Sequence, residues 1–184
     1  MEYNDIHRDL VEDCKNGRRQ AQFELYQLYS KAMFNICLRM VKNEADAEDL
    51  LQNSFIDVFT KLDSFRFQST IGAWIKRIVI NNCINFLKKR RLYFEEITDR
   101  IGDREDPQPE EEPKLSVQAI NDAIFQLPDG YRVVFSLYQM EGYDHKEIAE
   151  ILKVSEQTSK SQYSRARKKL RELLSQPMAS GWND

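Results

Sequence analysis

Very few residues in this 184-residue chain have types and spacings suited to bond-making chemistry. Its cysteines are Cys14, Cys37 and Cys83, odd in number and far apart, with no CxxC pair. That argues against a disulfide framework and suits a reducing compartment. Only His7 and His145 are present, so there is no HExxH and no Cys/His quartet to hold zinc. Nucleophile-elbow, P-loop and dinucleotide-binding glycine motifs are also missing. Carboxylates are abundant, but nearly all lie at helix starts, on polar helix faces or in one acidic stretch, where solvated charge is the ordinary explanation. The expectation is no catalytic residue, no metal, no cofactor and no small-molecule substrate.

The residues that do stand out are cations. Lys plus Arg total 27 against 30 Asp plus Glu, a net charge of −3, yet the signs are segregated along the chain. Residues 44–63 hold six acids and one base, and residues 64–94 hold seven bases and no acid. Residues 95–113 hold nine acids and two bases, and residues 153–171 hold seven bases and one acid. Two dense cationic blocks are the footprint of a polyanion partner.

Elements must position those blocks. The chain is 41% hydrophobic with only 6 glycines and 5 prolines, which predicts helices rather than a turn-rich β fold. No apolar run approaches the ~20 residues of a membrane span, and MEYNDIHRDLVEDC has no signal-peptide core. The expectation is a soluble, cytoplasmic, all-α protein of two helical domains. The first spans 1–94, the second spans 115–176, and a tail covers 177–184. The acidic stretch 95–114, with Pro107, Pro109 and Pro113, reads as the linker joining them.

In the first domain, residues 19–41 are apolar on most faces and predict a central helix. A helix follows from about 44, with Leu50, Leu51, Phe55, Val58, Phe59 and Leu62 at helical spacing. Its opposite face carries Glu48, Asp49, Gln52 and Asp57, either a plain solvent face or a docking surface for a basic partner. Residues 63–72 break the pattern. In the next helix, Ile75, Ile78, Val79, Cys83, Phe86 and Leu87 form one stripe. The remaining positions are Trp74, Lys76, Arg77, Asn81, Asn82, Asn85, Lys88 and Lys89. Asparagine weakens a helix but offers a donor and an acceptor to a base edge. Phe65, Phe67 and Trp74, around Arg66, suit either a core cluster or a platform for unpaired bases.

In the second domain Leu127-Pro128 ends one helix and another starts near Gly130. Asp144-x-x-Glu147 has the form of a capping box before Ile148, Ala149, Ile151 and Leu152. Lys153-Val154-Ser155 makes a turn with Ser155 as N-cap. In the final helix Tyr163, Ala166, Leu170 and Leu173 line one face, and Gln157, Thr158, Lys160, Ser161, Ser164, Arg165 and Lys168 fall elsewhere. A short helix, a tight turn and a polar-basic helix match the helix-turn-helix.

Two segments together resemble one family. DAEDLLQNSFIDVFTKLDSF followed by STIGAWIKRIVINNCINFLKKRR is similar to the second conserved region of extracytoplasmic-function (ECF) sigma factors. IFQLPDGYRVVFSLYQMEGYDHKEIAEILKVSEQTSKSQYSRARKKLREL is similar to their fourth. The resemblance covers nearly the whole chain. It implies a promoter-specificity subunit, not an enzyme, that assists promoter opening. Its partners would be the RNA polymerase core, through the clamp of the largest β-type subunit, promoter DNA, and an anti-sigma factor. The implied core-polymerase-binding residues are Asp46, Glu48, Asp49, Leu51, Gln52 and Phe55. Near the melted minus-10 strand it places Arg66, Phe67, Gln68, Ser69, Trp74, Asn81, Asn82 and Asn85, with Lys76, Arg77, Lys88, Lys89, Arg90 and Arg91 on phosphates. For the minus-35 duplex it implies Gln157, Thr158, Lys160, Ser161, Gln162, Ser164, Arg165, Arg167 and Lys168. The chain departs from the family pattern at Ser159, where an apolar residue is usual, at Gln162, where Arg is common, and at Asn85, where an acid is frequent. Two rivals stay open at this point: a helix-turn-helix regulator acting alone, and a carboxylate-dependent nuclease, for which residues 64–94 supply no acid.

Overall fold

A computed structural model describes residues 6–90 and 116–175; the acidic linker, Arg91 and the tail 177–184 lie outside the described residues. Every regular element among the described residues is helical, and no described helix is long and apolar enough to cross a membrane. The chain divides into two compact units, Met1–Arg90 and Arg91–Asp184.

The first unit holds α1 (Arg8–Lys15), α2 (Arg19–Val41), α3 (Glu44–Lys61) and α4 (Ile71–Lys89). Local chemistry marks the starts of α3 and α4. The Asn43 side chain accepts from Asp46 N at 2.9 Å, and Thr70 Oγ1 accepts from Ala73 N at 3.1 Å. As its all-round apolar pattern predicts, α2 is central and packs on α1, α3 and α4. Its Phe23 and Leu28 nonetheless stay exposed. The buried side of α4 is wider than a single stripe. It takes in Ile71, Ile80 and Ile84, because both α2 and α3 pack on it, while Ile78 and Phe86 are only half-buried. At the start of α4, a Cβ on Gly72 would sit 2.8 Å from the Tyr29 ring, so only glycine lets α2 approach this closely.

The second unit holds α5 (Val117–Gln126), α6 (Asp129–Phe135), α7 (His145–Leu152) and α8 (Glu156–Ser175), with a π-helical turn at Ser136–Met140. The expected capping box is present. Asp144 Oδ1 accepts from Glu147 N at 2.8 Å, and Glu147 Oε2 accepts from Asp144 N at 2.9 Å. Lys153 closes α7 in the left-handed region at φ +59°, and Ser155 Oγ caps α8 by accepting from Thr158 N at 2.9 Å. Ala123, Ile124, Leu127, Phe135, Ala166 and Leu170 form one core cluster.

Arg132 is the largest polar side chain in that interior, 1% exposed. It pairs with Asp129 at 2.6 Å and donates to the carbonyl of Leu127 at 3.0 Å, tying the Leu127-Pro128 turn to α6. Removing one partner of such a pair leaves a buried charge unanswered. Asp129→Asn strands the buried Arg132 guanidinium and therefore lowers the unfolding free energy of the second unit by about 3 kcal/mol. Arg132→Met costs less, because the carboxylate it leaves behind is partly exposed and water can solvate it. Denaturant melts of the two variants check the order; equal losses would contradict it.

Candidate nucleic-acid interface

The outward side of α4 follows from its buried side. With Ile71, Ile75, Val79, Cys83 and Leu87 turned inward, the exposed residues are Ala73 and, beyond it, the polar Arg77, Asn81, Asn85 and Lys89. They fall four residues apart, so they form one line along the helix. Lys76 and Lys88 flank it, half-buried. Asn82 does not belong to the line. It donates to Asp57 Oδ2 at 2.9 Å and Ser54 Oγ at 3.1 Å, fastening α4 to α3. That bond, with help from Lys61, holds the Asp57 carboxyl below its ordinary pKa.

The loop before α4 separates its aromatic and polar residues. Arg66 and Gln68 are exposed, and Ser69 and Trp74 are half-buried. Phe65 and Phe67 are buried, their rings 4.8 Å apart, and Phe65 lies 5.3 Å from the Trp74 ring. Phe67 was expected beside an open strand, but it is 5% exposed. Its ring sits under the Arg8 guanidinium at 4.5 Å and the Lys15 ammonium at 4.8 Å, while Lys15 also donates to the Phe65 carbonyl at 3.1 Å. The backbone of Phe67 is left-handed, φ +55°, a strained state for a bulky residue. Beside this loop an open cleft of about 460 Å³ is lined by Tyr29, Met33, Gly72, Ala73 and Lys76, among others.

On α3, Glu48, Asp49 and Gln52 are exposed as expected, and Ile56, which the pattern did not single out, joins them at 63% exposure. Leu51 and Phe55 are buried, with Phe55 edge-on to Tyr26 at 4.7 Å. The Phe55 ring thereby packs α3 on α2. Asp46 is engaged by Arg90 through two hydrogen bonds, 2.8 and 3.3 Å, and the same guanidinium lies 4.8 Å over Phe86. One residue from each expected surface thus pairs with the other.

In α8, Gln157, Lys160, Ser164, Arg167 and Lys168 are exposed, and Thr158, Ser161 and Arg165 are half-buried. Lys160 pairs with Glu156 at 2.7 Å, a contact between two exposed chains that a phosphate can displace. Gln162 was expected to face DNA; it is 2% exposed and points into the unit. Position 162 lies on the same helix side as Ala166 and Leu170; its outward role came from the resemblance and not from the pattern.

The thiols add no chemistry. All three are free and buried; burial, with Asp13 and Glu24 nearby, pushes Cys14 up to about 11, and contact with Cys37 pushes Cys83 upward too.

Comparison with known proteins matches residues 25–93 to Sigma-70 region 2 and residues 118–170 to Sigma-70, region 4. The ECF RNA polymerase sigma factor SigW of Bacillus subtilis is 27% identical over 183 residues, spanning 89% of this chain and 94% of that protein. The ECF factor SigM of the same organism is 29% identical over 155 residues, 82% of this chain and 93% of its own length. The sigma factor RpoE of Bartonella quintana, solved in complex with the anti-sigma factor NepR, superposes with a TM-score of 0.56 at 27% identity, covering 82% of this chain and 94% of that one.

The strain at Phe67 gives an order of stabilities. Phe67→Ala loses about 3–5 kcal/mol of packing and keeps the left-handed penalty. Phe67→Gly loses the same ring but accepts φ +55°, so it is less destabilised by about 1 kcal/mol. Thermal unfolding of the two variants checks this; glycine as the weaker variant would mean the backbone is not strained there.

Proposed function

The chain belongs to the ECF sigma factors of RNA polymerase, and from that premise we propose how its surfaces divide the work. As a sigma factor it directs polymerase to specific promoters. The observation that carries the assignment is the exposed line Arg77, Asn81, Asn85 and Lys89 on α4, in a segment without one acid.

This line lies along the minus-10 strand. Arg77 and Lys89, with Lys76 and Lys88 beside them, take phosphates, and Asn81 and Asn85 reach base edges. Trp74, half-buried, offers one ring face to an unpaired base, and Arg66 and Gln68 sit beside it. In this reading Asn82 and the seated Phe67 support the surface rather than contact bases. Promoter opening then draws on trapping of the displaced strand. The α3 face of Glu48, Asp49, Gln52 and Ile56 docks on the clamp of the largest β-type polymerase subunit. The N-terminal half of α8 enters the minus-35 major groove with Gln157, Lys160 and Ser161, and Arg167 and Lys168 hold its backbone. Bond-making stays with polymerase, and the protein works in the cytoplasm beside it. The Bartonella relative's complex supports an anti-sigma factor as a further partner.

Run-off transcription with core polymerase tests the whole reading: transcripts that depend on this protein are expected, and their absence would defeat it. Asp49→Lys combined with Gln52→Ala weakens core binding while the helical signal stays unchanged. Arg165→Ala weakens minus-35 binding by ~1–3 kcal/mol if a base is read, whereas a uniform loss on every sequence marks a phosphate contact. Trp74→Ala slows strand opening more than initial docking, measured by permanganate reactivity against duplex binding; equal damage would remove Trp74 from the opening step.

A further inference from the structure

The joint between α7 and α8 is made of polar and aromatic groups. In its first two turns the inner side of α8 presents Ser159 and Gln162, 0% and 2% exposed; its apolar residues, Ala166 and Leu170, come later. Gln162 Oε1 is buried without a hydrogen-bond partner among the described residues, as is Ser136 Oγ. Each such atom costs about 1–3 kcal/mol. Apolar packing in this half of the helix is confined to the Tyr163 ring, which sits against the core cluster and stacks on Phe135 at 6.0 Å; it does not by itself set how the helix sits.

Directional contacts set how it sits. Ser159 Oγ lies 2.9 Å from His145 Nδ1. The imidazole stacks on the Tyr138 ring at 4.4 Å, 16° from parallel, and meets the Tyr163 ring edge-on at 5.7 Å. Tyr163 donates its hydroxyl hydrogen to Gln139 Oε1 at 2.8 Å. Tyr138 and Gln139 belong to the π-helical turn, His145 opens α7, and Ser159 and Tyr163 lie on α8. Three elements thus meet at one ring.

We infer that His145 and Ser159 are positioning residues for minus-35 recognition: their hydrogen bond sets the angle of α8 against α7, and so the register of Gln157, Lys160 and Ser161 against base edges. The inference rests on α8 being the duplex reader. Base-edge contacts demand alignment, because a hydrogen bond weakens steeply off its axis. Phosphate contacts by long cationic chains tolerate a tilt. The joint therefore governs discrimination between sequences, and the cationic residues govern general affinity.

The joint also titrates. The charged and titratable groups around His145 are Asp144 on its own element, Tyr138 from the π-helical turn, and Glu156, Lys160 and Tyr163 from α8. Burial, then Lys160, lower its pKa below the ordinary 6.5, with Glu156 and Asp144 opposing. The fold thus favours the neutral ring. Its contribution is complete above the unfolded value near 6.5 and is lost as pH falls toward the lower folded value. Protonation leaves Nδ1 able only to donate and puts a second cation beside Lys160.

The test uses holoenzyme reconstituted with the full chain. The probes are a promoter duplex selected by wild-type holoenzyme from a random library, and the same duplex with its minus-35 segment scrambled. The expected result for Ser159→Ala is a five- to tenfold drop in the affinity ratio of the two duplexes, the loss of about one hydrogen bond. Affinity for the scrambled duplex and its salt dependence stay at wild-type values. His145→Asn keeps a hydrogen-bonding group near the Nδ1 position without a titration; its ratio stays level from pH 8 to 5.5, where that of the wild type falls. This profile carries the test alone where Ser159→Ala is too unstable to assemble. An unchanged ratio in Ser159→Ala, an equal loss on both duplexes, or a wild-type pH profile in His145→Asn overturns the inference while the reading of α8 stands. Wild-type holoenzyme that ignores the scrambled segment overturns the reading of α8 and this inference together.

Discussion

The N-terminal unit depends on the burial of α4 between α2 and α3. Ile71, Ile75, Val79, Ile80, Cys83, Ile84 and Leu87 are all removed from water. Each buried aliphatic chain is worth about 1.5–3 kcal/mol, enough to override the poor helix propensity of three asparagines on the same helix. Burial on that scale fixes the rotation of α4 about its axis. A turn in either direction would expose isoleucines and bury Arg77 or Lys89. The outward line of Arg77, Asn81, Asn85 and Lys89 is therefore a consequence of the core, and its straightness needs no other cause.

The same packing couples the two surfaces assigned to different partners. Asn82 is bound to Asp57 and Ser54 of α3, and Arg90 to Asp46. The Asn82 contacts are partly shielded and hold the helices in register. The Arg90–Asp46 pair is more open, with the arginine side chain 48% exposed, so it adds little to stability and yields readily to a competing anion. A partner that takes Asp46 and a phosphate that takes Arg90 compete with the same internal bond. Either event makes the other cheaper, in the sense of linkage between sites.

What the sequence made legible was local. Asn43, Thr70 and Ser116 as caps, the Asp144–Glu147 box and the Ser155 cap depend on residues three apart, and the box and Ser155 were read directly from the pattern. Charge segregation was legible because it needs no structure at all. The differences in facing share another cause. Leu51, Phe55, Phe67, Asn82 and Gln162 were assigned outward roles by residue type or by resemblance. Which way each faces is decided by distant elements: α2 over Phe55, α1 over Phe67, α3 against Asn82. Arg132 and the His145–Ser159 contact went unread for the same reason, since their partners come together only after a turn has closed.

The two units also use different means of fixing the helix proposed to read DNA. α4 is held mainly by apolar area, with the Asn82 hydrogen bonds to α3 setting its register. α8 is held at its reading end by a hydrogen bond and stacked rings, which contribute less energy but specify an angle. The difference suits the nucleic acid each would meet. A melted strand is flexible and can adjust to a fixed cationic line, whereas duplex base edges are rigid and the protein must supply the alignment. Nor does the net charge of −3 oppose either contact. At physiological ionic strength charges are screened beyond about 8 Å, so a phosphate responds to the nearest cations and not to acids elsewhere in the chain.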